Sequence, residues 1–342
     1  GGCGRESIAG EDLRVVERVR PAYWDRDDAV SRALAPLGWL WCGLAMLRRM
    51  AYRARLRPSG AAGVPVIVVG NLTVGGTGKT PFTIWLVEAL RQAGYSPGVV
   101  SRGYGGQAAS WPQQVRPDSD PVVVGDEALL IARRTQRPMA VGPDRLEAAR
   151  ELVRHAEVDV VVTDDGLQHY RLQRDIEIEI LDGRRRYGNG RCLPAGPLRE
   201  PLGRRRSVDF RVCNGTPLSE DERGMRLAVG DPVNLVTGES CPAAELGPEV
   251  HAVAGIGDPE RFFLTVRRQG LRVIPHAFPD HHDYEPGDVD FPGSQPVLMT
   301  EKDAMKHARA GDPRHWFLPV AAEPEPGLAE AIVNRLEAKH HG

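Results

Sequence analysis

Residues 66–81 read VIVVGNLTVGGTGKTP. Val66, Ile67, Val68 and Val69 form a β-branched run that feeds a glycine-rich loop ending in Gly78-Lys79-Thr80. Gly75, Gly76 and Gly78 let backbone N–H groups turn inward and cradle phosphate oxygens, where side chains would block the approach. Lys79 has the reach for the β and γ phosphates of a nucleotide, and the Thr80 hydroxyl suits Mg²⁺. A helix from about Pro81, apolar at Ile84, Leu86, Val87 and Leu90, points its positive end at the same phosphates. The common pattern has a glycine five residues before Gly78, and Thr73 stands there instead. The expected phosphate site is Thr73, Val74, Gly75, Gly76, Thr77, Gly78, Lys79 and Thr80.

Working outward, short apolar runs alternate with helical patterns. Strand candidates lie at 66–69, 98–101, 139–141, 158–163, 176–181 and 210–214, with helical pattern at 82–93, 126–135 and 143–155. This predicts an α/β fold: a P-loop NTPase-like parallel sheet with helices on both faces. A polar stretch follows residue 214, then a second alternation through 250–254, 259–269, 273–277, 296–299 and a terminal helix near 327–338. We divide the chain into an extension (1–23), an N-terminal helix with a basic flank (24–57), a P-loop core (58–215) and a smaller C-terminal α/β domain (216–342).

The 44 Lys+Arg nearly balance the 46 Asp+Glu, so nothing global points to nucleic acid. Residues 1–20, with Glu6, Glu11 and Asp12, carry no signal-peptide pattern. The five cysteines (3, 42, 192, 213, 241) are scattered without CxxC spacing, which predicts neither a disulfide framework nor a zinc site and fits a reducing compartment. Residues 33–47, ALAPLGWLWCGLAML, are uncharged and precede Arg48, Arg49, Arg53, Arg55 and Arg57. As a helix this stretch would span ~22 Å, short of the ~30 Å hydrocarbon core. Trp24, Trp39 and Trp41 suit a membrane interface, and the arginines suit an anionic leaflet. We therefore expect membrane association; a buried core helix is the alternative that length equally allows.

The run 159–163, DVVVT, leads into Asp164-Asp165-Gly166. A hydrophobic strand ending in aspartates is the usual partner of a phosphate loop, holding Mg²⁺ at the strand's C-terminal edge. Asp126 and Glu127 open a helix, where the helix dipole alone accounts for carboxylates. His281 and His282 sit in FPDHH after a strand, and Leu193–Glu200 reads LPAGPLRE; spacing assigns neither a role.

Taken in order, NLTVGGTGKTP, SRGYGG (101–106), VGDE, TDDGLQH (163–169), DGRRRYGNGRCLPAGPLRE, AGIGDPERFF and MTEKDAMK resemble the tetraacyldisaccharide 4′-kinase family of the lipid A pathway. The resemblance runs from about Trp24 to the C-terminus, and Thr73 is no departure from the family's loop. It implies a kinase that phosphorylates the 4′-hydroxyl of a tetraacylated glucosamine disaccharide 1-phosphate with ATP and Mg²⁺. It also implies work at the cytoplasmic face of the bacterial inner membrane and an active site between two α/β/α domains. By motif, Lys79, Asp126 and His281 are the implied catalytic residues, His281 assisting Asp126. Thr80, Asp164, Asp165 and Glu200 are the implied metal site. Arginines around 171–206 are candidates for the substrate's 1-phosphate. MTEKD (299–303) resembles the base-reading loop of other P-loop proteins in a different residue order, which leaves nucleotide contact open. A P-loop nucleotide switch or metallochaperone is the alternative function; it leaves the N-terminal helix and the Asp126–His281 pair without a purpose.

Overall fold

A computed structural model describes residues 20–285, 287–307 and 311–340. Of the extension expected at 1–23, residues 1–19 lie outside the described residues. In chain order the strands are β1 (Val66–Gly70), β2 (Pro97–Ser101), β3 (Gln113–Val115), β4 (Met139–Val141), β5 (Val160–Thr163), β6 (Ile176–Asp182) and β7 (Phe210–Asn214). They continue with β8 (Glu222–Val229), β9 (Val233–Asn234), β10 (Glu249–Ala254), β11 (Arg272–Ala277), β12 (Val297–Thr300), β13 (His315–Leu318) and β14 (Val320–Pro324). The helices are α1 (Ala29–Ala33), α2 (Ala35–Arg53), α3 (Lys79–Gln92), α4 (Pro121–Val124), α5 (Asp126–Thr135), α6 (Arg145–His155), α7 (Pro259–Arg268), α8 (Glu301–His307) and α9 (Leu328–His340).

The larger sheet runs β14-β8-β7-β6-β1-β5-β2-β4-β3 and the smaller β11-β10-β12-β13-β9. Strands β8 to β4 are parallel, and antiparallel β14 and β3 close the edges. The continuous apolar run at 66–69 is explained by burial on both faces. Ile67 and Val69 face a core that includes Phe82, Leu86 and Leu90 of α3 and Leu129 of α5. Val66 and Val68 face the opposite core, with Leu146 and Leu152 of α6. The smaller sheet has its own core, Phe263 and Val266 of α7 against Val250 and Ala252.

Strands β3, β8, β9, β13 and β14 escaped the sequence reading. β8 lies one strand from the edge, and Arg223 and Arg226 point to solvent, so its pattern reads as polar loop. Although they follow residue 215, β8 and β14 extend the larger sheet, and Leu328, Ile332 and Leu336 of α9 join its core.

Helix α2 is not a buried core helix. Its Trp39 is 69% exposed, Leu40 62% and Leu47 63%, while only Ala35 and Gly38 are buried. No described helix is long and apolar enough to cross a membrane. The inner side of α2 rests on residues 191–199. A side chain at Gly38 would meet the Cys192 carbonyl at 2.9 Å, so glycine permits the close approach. Trp41 Nε1 donates to the Arg199 carbonyl at 2.9 Å. Cys42 and Cys192 are joined as a disulfide, which corrects the expectation of none. The pair is 150 residues apart, and only the seating of α2 on this loop brings it together.

Candidate active site

β1 lies between β6 and β5, where chain order reverses across the sheet. Crevices at such switch points, beyond the strands' C-terminal ends, are the usual ligand sites of open α/β sheets. The loop after β1 turns through Gly75 and Gly78, both with positive φ, +109° and +93°. Helix α3 then starts at Lys79 with no side-chain cap, which leaves its first N–H groups for an incoming anion. Neighbours fix the loop's outer side. Val74 N–H donates to the Pro197 carbonyl at 2.9 Å, Asn214 Nδ2 to the Thr77 carbonyl at 3.1 Å and Arg185 Nη2 to the Gly76 carbonyl at 2.8 Å. Thr77 Oγ1 is buried without a partner. Thr80 is half-buried in the first turn of α3.

Asp164 and Asp165 follow β5, which pairs with β1 in register Val68↔Thr163. Their surroundings push them apart. Burial and the nearby Glu127 charge push the Asp164 carboxyl up to about 7, and Thr83 Oγ1 donates to it at 3.0 Å. Asp165 is half-buried, and although desolvation opposes its charge, Lys79 and Arg199 bring it down to about 2. Arg199 Nη1 lies 3.0 Å from both of its oxygens, and Lys79 Nζ 3.8 Å from Oδ1. The Lys79 ammonium only partly offsets burial and the two neighbouring acids at Asp164, and a divalent cation near it and the Thr80 hydroxyl would supply the rest.

Glu200 was expected with these metal-associated residues, and the structure gives it other partners. Tyr170 donates to Oε1, Gln168 Nε2 lies 3.3 Å from Oε2 and Arg204 Nε 3.7 Å. Among the described residues no three His, Cys, Asp or Glu side chains gather as a metal cage.

A second constellation forms where the two sheets meet. Asp126 opens α5 after Gly125, which has a φ of +89° and where an added Cβ would stand 2.5 Å from the Tyr104 carbonyl oxygen, so no side chain is tolerated. His281 lies in the loop after β11 at φ +61°, a left-handed backbone that costs a non-glycine residue on the order of 1–3 kcal/mol. Its Nδ1 is 3.2 Å from both Asp126 carboxylate oxygens. Helix α8 packs against α5 and supplies two lysines. Lys302 Nζ is 3.1 Å from His281 Nε2, 2.9 Å from Asp280 Oδ1 and 3.5 Å from Glu127 Oε1. Lys306 Nζ is 3.3 Å from Asp126 Oδ2 and donates to the His282 carbonyl at 2.6 Å. Burial opposes the Asp126 charge, yet the His281 hydrogen bond and the Lys302 ammonium hold its carboxyl well below the usual carboxylate range.

The structure thus brings the phosphate loop to Asp164 and Asp165, and Asp126 to His281, while Glu200 joins Gln168, Tyr170 and Arg204. The sequence reading missed Lys302 and Lys306. Their i, i+4 spacing in MTEKDAMK was the available signal, because it puts both on one helix face.

A phosphate loop on a parallel sheet, facing paired aspartates and a carboxylate–histidine pair, defines a P-loop phosphotransferase. The family model for tetraacyldisaccharide-1-P 4′-kinase matches residues 30–337. The chain belongs to the tetraacyldisaccharide 4′-kinase family. It is 50% identical over 324 residues to the tetraacyldisaccharide 4′-kinase of Alkalilimnicola ehrlichii, covering 94% of this chain and 97% of that protein. It is 50% identical over 299 residues to that of Nitrosococcus oceani, covering 87% and 88%. It is also similar to the crystal structure of LpxK from Aquifex aeolicus in complex with ATP, with a TM-score of 0.77 and 27% identity over 90% of this chain and 99% of that one.

Proposed function

We propose that this chain transfers the γ-phosphoryl group of ATP to the 4′-hydroxyl of a tetraacylated glucosamine disaccharide 1-phosphate, a step of lipid A biosynthesis. The observation that carries this reading is the hydrogen-bonded Asp126–His281 pair beside the phosphate loop's aspartates. A nucleotide switch has no use for it. Family membership supplies the acceptor.

Phosphoryl transfer asks the protein mainly for positioning and charge neutralisation. The loop N–H groups and Lys79 hold the β and γ phosphates. Mg²⁺, when bound, neutralises phosphate charge, and Thr80, Asp164 and Asp165 are the residues that would hold it. Arg199 keeps Asp165 ionised and oriented. The acceptor oxygen bonds to the γ-phosphorus, the bond to the ADP oxygen breaks, and the hydroxyl proton passes to Asp126. For the 1-phosphate, the group around His169 is well suited. Burial and the charges of Arg145, Arg102, Arg48 and Arg174 bring this histidine down to about 3, and buried Arg145 has Nε and Nη1 unpartnered.

The exposed apolar side of α2, followed by Arg48, Arg53, Arg55 and Arg57, supports docking on the cytoplasmic face of the inner membrane. The acceptor's acyl chains then remain in the bilayer. The test is ADP production with and without a lipid A disaccharide precursor in detergent micelles. Release that depends on the precursor is expected; the same rate without it overturns the kinase reading.

A further inference from the structure

Helix α8 packs on α5, β12 and β13, and its two lysines converge on the Asp126–His281 pair. An ammonium group has three donors and no acceptor. With Lys302 Nζ 3.1 Å from His281 Nε2, that ring nitrogen is the acceptor. A neutral imidazole has one hydrogen, so Nδ1 carries it and donates to Asp126 3.2 Å away. The lysine is itself held. Asp280 and Glu127 bind it at 2.9 and 3.5 Å, and only 13% of its side chain is exposed.

We infer that Lys302 is a positioning residue for phosphoryl transfer: by donating to Nε2 it fixes the His281 tautomer that aims the Asp126 carboxylate at the acceptor hydroxyl. The inference rests on the kinase reading of this site and adds one point to it. His281 orients Asp126 and does not relay the acceptor's proton, because Nδ1 is already protonated and Nε2 is occupied by the ammonium. Lys306, on the same helix face, braces the other carboxylate oxygen.

Charged groups surround His281. Asp126 and Glu127 come from α5, Asp280 from the histidine's own loop, Lys302 and Lys306 from α8, and the Tyr104 ring lies 4.7 Å away. Without the Lys302 ammonium, a neutral His281 is free to adopt the other tautomer.

The test uses the full chain with ¹⁵N-labelled histidine and the variants Lys302→Met and Lys302→Arg. In the wild type, NMR should find the His281 hydrogen on Nδ1. Lys302→Met should populate the Nε2–H form and lower kcat roughly ten- to a hundredfold, part of the ~10²–10⁴ that acid–base groups contribute, with KM for ATP nearly unchanged. Lys302→Arg, which keeps a donor, should retain the tautomer and most of the turnover. An Nε2–H tautomer in the wild type overturns the inference. So does an unchanged Nδ1–H signal in Lys302→Met, whatever its turnover. The NMR reading needs neither ATP nor acceptor, so a wild type without acceptor-dependent turnover would sink the kinase reading separately.

Discussion

His281 reaches Asp126 across 155 residues of sequence, and its Nδ1 stands 3.2 Å from both carboxylate oxygens. One partner begins a helix packed on the larger sheet, and the other sits on a loop of the smaller one. The pair exists only when both sheets are correctly placed, so it reports their relative position as well as the chemistry. Groups that act as one unit are non-additive. Asp126→Ala and His281→Ala should each lower kcat by about 10²–10⁴ with smaller effects on KM for ATP. The double variant should be little worse than the worse single one. Losses that multiply would end the idea of a unit.

Lys79→Ala should stay folded, by circular dichroism, and lose about 10²–10³ in turnover, the ~3–4 kcal/mol typical of removing one group that meets developing charge. Near-normal turnover would refute the phosphate-loop assignment.

Glu179 on β6 is buried, and burial pushes its carboxyl up to about 7 although the Tyr187 hydroxyl donates to it. Its folded pKa is raised, so its contribution to stability is full below the unfolded value, 4.5, and is lost as pH rises toward 7. Over that window the folded state binds the extra proton, and unfolding free energy should fall by up to about 1.4 kcal/mol per pH unit from this group. Glu179→Gln removes the ionisation. Urea titrations at pH 5 and 7.5 should give the variant a shallower decline than the wild type; equal slopes would show that Glu179 stays ionised.

Replacing Arg48, Arg53, Arg55 and Arg57 with Gln should weaken binding to anionic vesicles and flatten its salt dependence, since each charge near such a surface is worth about 1 kcal/mol. Arg49 is left alone because Nη2 donates to Ser207 Oγ at 2.6 Å. Trp39→Ser with Leu40→Ser should reduce binding to neutral vesicles as well. If sedimentation finds both variants on vesicles as before, α2 is not the docking surface.

The parallel core was legible because its strands are buried on both faces and read as apolar runs between helical patterns. The phosphate loop and the aspartates after β5 were legible for a related reason: each joins a strand end to a composition that only phosphate or metal chemistry needs. β8 was hidden by the exposed arginines Arg223 and Arg226, three residues apart and so out of strand period, near the sheet edge. Lys302 was hidden by its company. Thr300, Lys302 and Asp303 look like a nucleotide-reading loop, but Asp303 is buried and accepts from Gly255 N–H at 2.9 Å and from Thr300 Oγ1 at 2.6 Å. It staples β12 to β10, which leaves the lysine to turn toward His281. Family resemblance carried Asp126, His281 and Glu200, and no local spacing could have joined them.

Residues 191–199 carry α2 on one side and brace the phosphate loop on the other, through Pro197 to Val74 and through Arg199 N–H to the Leu72 carbonyl at 2.7 Å. If α2 rests on lipid, the transferable phosphate is carried at a constant height above the bilayer surface. The enzyme then works as a depth gauge: it phosphorylates a hydroxyl that its acyl anchors present at that height, and a sugar drawn deeper or floating free is out of register whatever its stereochemistry.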